Sequence, residues 1–461
     1  MNSMRKTLWT SLLILTLIIT GQNCKANKNT EFEITKRASQ YIQYLADLGM
    51  RHAGTENEEK ALEYISKCLK KAGLKTTTEP FTFELFSLKK VKLQMGTISL
   101  EPALVGFNPY DGNATVEGEV VIIKSSTPRE EIFELDCENK IVLTAKPVNF
   151  FQLAYLKPKA IVYVEEKELE SLSNKNGNPA FLSVDGEIQR LQSANVVASL
   201  LPIPDTEKEI IISAHVDSFN GPGADDNASG VAVLLELAEY FSKRKKDLTY
   251  RLKFIALGSE EIGLLGSKTY VQKHQEELKN CELVFNIDTV GGSKGIYVEM
   301  RGDRENRTKE KGKSLFPEDM VSKSGRDFSG KWMLLHPSQV MFAAWIPEWL
   351  RTAIEESGKD LGYEINPSYM MGSDHRSFAL AGIPSTGISI AGNQHHSPED
   401  IPEQVDMESL RKAGRIVSRV IESIFGPRIS DLNFTWGCVP PDGEEYILDN
   451  LLTYSSLVLC F

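Results

Sequence analysis

Apolar residues recur at helical spacing between Thr55 and Gly73, where Leu62, Ile65, Cys68 and Leu69 share one face of TENEEKALEYISKCLKKAG. Thr55 followed by Glu58 matches a capping box and Gly73 a stop signal, so an amphipathic helix is predicted here. Thr78, Phe81, Phe83 and Leu85 then alternate as a strand does. Between about residues 89 and 195 the pattern breaks into short β-like runs, such as Glu119 to Ile123 and Lys140 to Thr144, separated by turn-rich pieces including SNKNGNP. This predicts an inserted β-rich module. From Glu209 continuous apolar runs (EIIISAH, LKFIAL, ELVFNID, STGISIAG) alternate with amphipathic segments, among them ASGVAVLLELAEYF and a helix after Gly266. Unbroken apolar strands between helices predict an α/β fold with a mainly parallel, mixed central sheet covered on both faces. The predicted organisation is one α/β domain over residues 30–88 and 196–428, the module at 89–195, a charged surface excursion from Arg301 to Lys331, and a tail at 429–461.

Composition narrows the partners. A chain of 461 residues with 41% hydrophobic and 25% charged residues can bury a large core. Its net charge of -11 argues against nucleic acid and against a general anionic surface. Arg5 and Lys6 precede an apolar run from Leu8 to Ile19 that ends at Gly21, Gln22, Asn23 and Cys24. The run is shorter than the roughly 20 residues that span a bilayer, so residues 1–24 read as a secretory signal. Cys24 is a candidate for lipid modification, and through it for membrane attachment. The remaining cysteines, Cys68, Cys137, Cys281, Cys438 and Cys460, show no metal-ligand spacing and no legible disulfide framework. Cys438 with Cys460 is the one pairing open in an oxidising compartment, against buried free thiols. Nothing in the chain sets an oligomeric state.

The chemistry gathers at strand ends. Four predicted strands run into residues able to bind a cation: His215 and Asp217, Glu260 and Glu261, Asp288, and His396. In open α/β sheets sites form outside the carboxyl ends of strands, so these residues are expected to converge. PGADDNASG adds Asp225 and Asp226 in a Gly-rich loop leading into a helix. Carboxylates with imidazole and no thiolate suit zinc in a hydrolytic site that keeps a position open for water.

HVDS, GPGADDNASG, LGSEEIGLLGS, NIDTVGG, GSDHRSFALAGIP and HHSPED follow one another in this order. Together they resemble the co-catalytic zinc aminopeptidase family, which includes secreted bacterial leucine aminopeptidases and, more distantly, glutamate carboxypeptidase and glutaminyl cyclase. MRHAGTENEEKA resembles that family's first helix. The module resembles, more weakly, the protease-associated domains of secreted peptidases, for which a role in covering or filtering access to the site would suit.

The resemblance implies a zinc-exopeptidase fold, two zinc ions per chain and peptide substrates cleaved at the amino end. It implies that His215 and Asp288 hold one zinc, that Glu261 and His396 hold the other, and that Asp226 bridges them. Asp217 is expected to accept the free imidazole N–H of His215 and fix its tautomer. Glu260 is expected to act as general base, taking a proton from the attacking water and passing it to the leaving amine. A cis peptide is expected after Asp226. His396 is preferred to His395 because the family ligand directly precedes a Ser-Pro or Thr-Pro pair. Asp374 and His375 are secondary candidates near the substrate pocket, as are Tyr369, Met370, Met371 and Gly372 for its lining, while His52, His274 and His336 are read as ordinary histidines. The rivals are a one-zinc glutaminyl cyclase, a zinc carboxypeptidase, and an inactive peptide-binding scaffold.

Overall fold

The computed structural model describes residues 31–425, apart from 102–103, 108–112, 133, 146–152, 154–155, 157, 203–204, 301–345 and 369–371. The leader, Cys24, the segment 301–331, His336, Tyr369, Met370, Met371 and the tail therefore lie outside the described residues.

Helix α1 (Lys36–Asp47) and helix α2 (Glu56–Lys71) open the fold. Thr55 caps α2 by accepting the N–H of Glu58, and Gly73 ends it with φ +84°. The capping box does not close. The Glu58 carboxylate turns away and accepts from the N–H groups of Gly54 and Ser259.

Strand β1 (Lys75–Met95) pairs antiparallel with a second long strand near residue 200, and five shorter strands lie between them in sequence: β2 (Ile98–Leu100), β3 (Leu104–Phe107), β4 (Asn113–Ile123), β5 (Ile141–Thr144) and β6 (Ala160–Tyr163). The partner, β7 (Pro179–Leu200), matches β1 from Lys75↔Ser199 to Gln94↔Phe181. The register slips only at Lys89, between Leu88 and Lys90, so a continuous ribbon joins the β-rich module to the rest. The positions 88/89 and 195/196 fall inside these two strands, not in linkers.

The second half supplies β8 (Glu209–His215), helix α3 (Gly230–Ser242), β9 (Arg251–Leu257), helix α4 (Leu265–Lys273), β10 (Cys281–Ile287), β11 (Ile296–Glu299), helix α5 (Glu348–Leu361), β12 (Ile365–Ser368), helix α6 (His375–Leu380), β13 (Ser385–Ser389) and helix α7 (Met407–Phe425). Strands β13, β10, β8 and β9 form a parallel core, flanked antiparallel by β7 on one side and β11 on the other. From β8 the chain goes first to β9 on one side and then to β10 on the other, which puts a switch point beside the carboxyl end of β8.

Each core strand is buried on both faces, which is why its sequence is apolar without alternation. Ile210, Ile212, Ala214, Phe254 and Phe285 pack under α1, α2, α3 and α7, while Ile211, Ile255, Leu257 and Val284 pack against Tyr270 and Val271 of α4 and Phe378 of α6. Cys137 and Cys281 are buried free thiols and Cys68 is half-buried. No helix of the described residues is long and apolar enough to cross a membrane.

Candidate metal centre

The strand ends deliver their side chains to one place. His215 closes β8, Asp288 directly follows β10, Glu260 and Glu261 sit three and four residues past β9, and His396 follows β13. His215 Nε2 lies 3.2 Å from Asp226 Oδ1 and 3.3 Å from Asp288 Oδ1. His396 Nε2 lies 3.2 Å from Asp226 Oδ2 and 3.0 Å from Glu261 Oε2. The two oxygens of Asp226 thus face different histidines, dividing the donors into two sets that share this carboxylate. In each set, His215–Asp226–Asp288 and Asp226–Glu261–His396, the ligand atoms lie within 4.8 Å of one another. Glu261 Oε1 is buried and has no hydrogen-bond partner, as a ligand oxygen facing a cation would be. All seven predicted site residues come together here.

Charge accumulates accordingly. Burial works against protonation of His215, yet the surrounding Glu260, Asp288, Asp217 and Asp226 hold its pKa well above the ordinary value. His396 is held up at about 10 by the hydrogen bonds its imidazolium donates to Asp226 and Glu261. Burial raises the Glu260 carboxyl well above the carboxylate range, partly countered by His215, and pushes Glu261 up to about 7. Asp226 goes the other way, because its bonds to both histidines outweigh its burial. Concentrated, poorly neutralised carboxylates of this kind mark a candidate functional site.

Asp217 does more than the sequence suggests. The nearest oxygen to His215 Nδ1 is the Asp217 main-chain carbonyl at 3.2 Å, with the carboxylate at 3.5 Å. The carboxylate itself accepts the N–H groups of Glu260 at 2.9 Å and Glu261 at 3.0 Å. Other buried acids bind the ligand loops in the same manner. Asp400 accepts from the amides of Asp225 at 2.7 Å and Asp226 at 3.0 Å, and Asp225 accepts from Gly291 at 2.6 Å and Gly392 at 2.8 Å. Asn227 Nδ2 donates to the Ile287 carbonyl at 3.0 Å, tying the Asp226 loop to the end of β10. The Asp226–Asn227 peptide is cis, as the resemblance implies. The fully buried Arg51 guanidinium donates to the carbonyls of Val216, Pro222 and Gly223, clamping the turns that follow His215 and precede Asp226.

The sequence places Glu58 in a capping box and Asp225 in the Gly-rich loop, and assigns support of the ligand loops to neither, nor to Arg51, Asn227 or Asp400. Their signal lay in motifs already singled out, since Arg51 and Glu58 stand in MRHAGTENEEKA and Asp400 ends HHSPED. Of the secondary candidates, His375 bonds the equally buried Glu299 at 2.8 Å, and Asp374 is buried with its carboxyl pushed up to about 7. His395 is exposed beside His396, while His274 bonds Glu79 at 2.8 Å and belongs to neither donor set.

Residues 195–421 match the profile of peptidase family M28. Over 437 residues, 85% of this chain and 86% of the relative, the sequence is 26% identical to the aminopeptidase YwaD of Bacillus subtilis (strain 168). The fold superposes on the aminopeptidase from Aneurinibacillus sp. strain AM-1 with a TM-score of 0.57 and 26% identity, covering 84% of this chain and 92% of that one. It superposes equally on BSAP, a zinc aminopeptidase from Bacillus subtilis, with a TM-score of 0.57, 22% identity and coverage of 85% and 96%.

Proposed function

We propose that this chain, which belongs to peptidase family M28 and is a zinc-dependent aminopeptidase, works with two zinc ions and with Glu260 as its general base. The observation that carries the two-ion reading is the division of Asp226, whose oxygens face His215 and His396 at 3.2 Å each. His215 and Asp288 would hold one ion, Glu261 and His396 the other, and Asp226 both. The donors fit zinc, being imidazole and carboxylate without thiolate. When bound, the pair supplies Lewis acidity that acidifies a water and polarises the scissile carbonyl.

This chain's own groups do the rest. Glu260 is buried beside the ligands and lies close to His215 and Glu261, but it belongs to neither set that shares Asp226; with the ions held by those two sets, its carboxylate is left to take the proton of the attacking water. It then delivers that proton to the amine nitrogen as the peptide bond breaks. Asp217 keeps Glu260 and Glu261 apart in role by holding both of their amides, so that one side chain meets the metals and its neighbour meets the water. Export is inferred from Arg5 and Lys6 ahead of the apolar run from Leu8 to Ile19.

Glu260→Gln is expected to keep two zinc ions per chain while turnover of an aminoacyl-nitroanilide falls at least about 100-fold, the scale of general-base loss. Elemental analysis reads the zinc and steady-state kinetics the turnover. One tightly held ion in the active wild-type enzyme would remove the two-ion reading, and unchanged turnover in the variant would remove the base.

A further inference from the structure

We propose that Glu58 is a positioning residue, which aims the Glu260 carboxylate by holding the preceding residue, Ser259, in a left-handed backbone conformation. The inference rests on the reading of Glu260 as general base. It concerns a side chain on α2, 201 residues away in sequence from the turn it touches.

The turn after β9 has no regular secondary structure to define it. Instead, side chains from three other parts of the chain capture four consecutive amides. Gly258 N–H donates to Asn195 Oδ1 at 3.2 Å, Ser259 N–H to Glu58 Oε1 at 2.8 Å, and those of Glu260 and Glu261 to the two oxygens of Asp217 at 2.9 and 3.0 Å. Ser259 also donates its Oγ–H to Glu58 Oε1 at 3.1 Å, while Glu58 Oε2 accepts the Gly54 N–H at 2.6 Å. Glu58 and Ser259 are both buried, so no solvent replaces these bonds.

Ser259 has φ +56°, a region that costs a residue with a Cβ about 1–2 kcal/mol. Something must keep it there: the Leu265 N–H holds the Ser259 carbonyl at 3.0 Å, and the two bonds to Glu58 hold its amide and hydroxyl. If Ser259 relaxed to negative φ, the peptide between it and Glu260 would turn and the base would swing away from its proton. Glu261 lies one residue further from the strained position, and the Asp217 carboxylate still holds the amides of both glutamates, so the turn of that peptide acts first on Glu260. Loss of Glu58 should therefore fall on the proton-transfer step and spare the metals.

The test compares zinc-loaded wild-type enzyme with Glu58→Gln, Ser259→Gly in the Glu58→Gln background, and Glu260→Gln. Glu58→Gln keeps the shape but turns one acceptor oxygen into a donor. It is expected to lower kcat at least about tenfold, on the scale seen for outer-shell partners of metal sites, with KM within about twofold and zinc content unchanged. Glycine adopts positive φ without penalty, so adding Ser259→Gly is expected to recover at least about threefold of the lost kcat. A purely structural role for Glu58 would not be relieved by that glycine. The proposal is overturned if Glu58→Gln stays within twofold of wild-type kcat, if the double variant is no faster than the single one, or if zinc is lost in step with activity. Should Glu58→Gln fail to accumulate as folded protein, Ser259→Ala takes its place. It removes the Oγ bond and should cost at least about threefold in kcat at constant KM, and an unchanged kcat overturns the proposal. Glu260→Gln separates the two layers of inference. If it retains full turnover, the base reading falls and the proposal with it; if it is inactive while Glu58→Gln is fully active, the positioning role alone falls.

Discussion

At the scale of single residues the centre depends on acids that bind backbone and not metal. Asp217, Asp225, Asp400 and Glu58 are buried, and each uses its carboxylate to receive main-chain N–H groups from the ligand-bearing loops. Asp217→Asn turns one acceptor into a donor facing the amide of Glu260 or Glu261. Zinc affinity is expected to weaken about 10- to 100-fold, measured by competition with a chromophoric chelator. Metal binding is also coupled to protons. His396 is held up at about 10 and Glu261 at about 7 in the metal-free protein, whereas zinc takes neutral imidazole and ionised carboxylate. Both groups must give up protons, so apparent zinc affinity is expected to rise with pH across the neutral range. Titration calorimetry in buffers of different ionisation heat would count the protons released; a heat independent of buffer would contradict the coupling. The proposed ligands were legible in the sequence because His215, Glu261, Asp288 and His396 stand at or shortly after the ends of apolar strands and Asp226 in a Gly-rich loop before a helix. Their supports were not, since a carboxylate accepting backbone amides carries no pattern of partner residue types, and Asp225 and Glu58 read as ordinary acids in a loop and at a helix start.

At the scale of elements, the helix at residues 56–71 and the apolar strands followed directly from periodicity, because burial on one face or on two dictates those patterns. The ribbon of β1 and β7 was harder to see. Alternation that is clear at Phe81 and Phe83 meets the run Ser87 to Lys90, where the register slips at Lys89, so a single strand reads as two. The failed capping box has a related cause: Glu58 has a longer-range partner at Ser259, which local sequence cannot show. A similar long-range contact joins the chain's first described residues to its last helix. Gly414 of α7 lies against the fully buried ring of Phe32, where an added Cβ would collide with the ring carbons. Gly414→Ala is therefore expected to destabilise the protein by about 1–3 kcal/mol through overpacking. The midpoint of thermal unfolding should drop while kcat and KM of the folded enzyme hold, because the contact lies outside the zinc centre.

At the scale of the whole molecule, one sheet runs between two pairs of hydrophobic clusters. Residues of the β-rich module, from Val91 and Leu93 through Val120, Leu143 and Val162 to Val184, form clusters that share no buried side chain with those under and over the α/β sheet. A fifth, small cluster lies at the root of the ribbon, where Phe81, Phe83 and Leu191 meet Ala53, Ile262 and Leu265 close to Glu261. A cut beyond that root should then remove the two clusters of the module and leave the others whole. In the register of the ribbon Ser87 faces Glu187, so replacing residues 88–186 by Asn-Gly closes the two strands with the turn that two-residue hairpins favour. The shortened enzyme is expected to unfold cooperatively, to keep the zinc content of the full chain and to hydrolyse a small aminoacyl-nitroanilide within a few-fold of it. A change confined to longer peptides would then give the module a part in selecting substrates. Loss of zinc or of the folding transition would mean instead that the ribbon transmits stability between the cores, and that Phe83 and Leu191 depend on the module for the position from which they support the loop of Glu261.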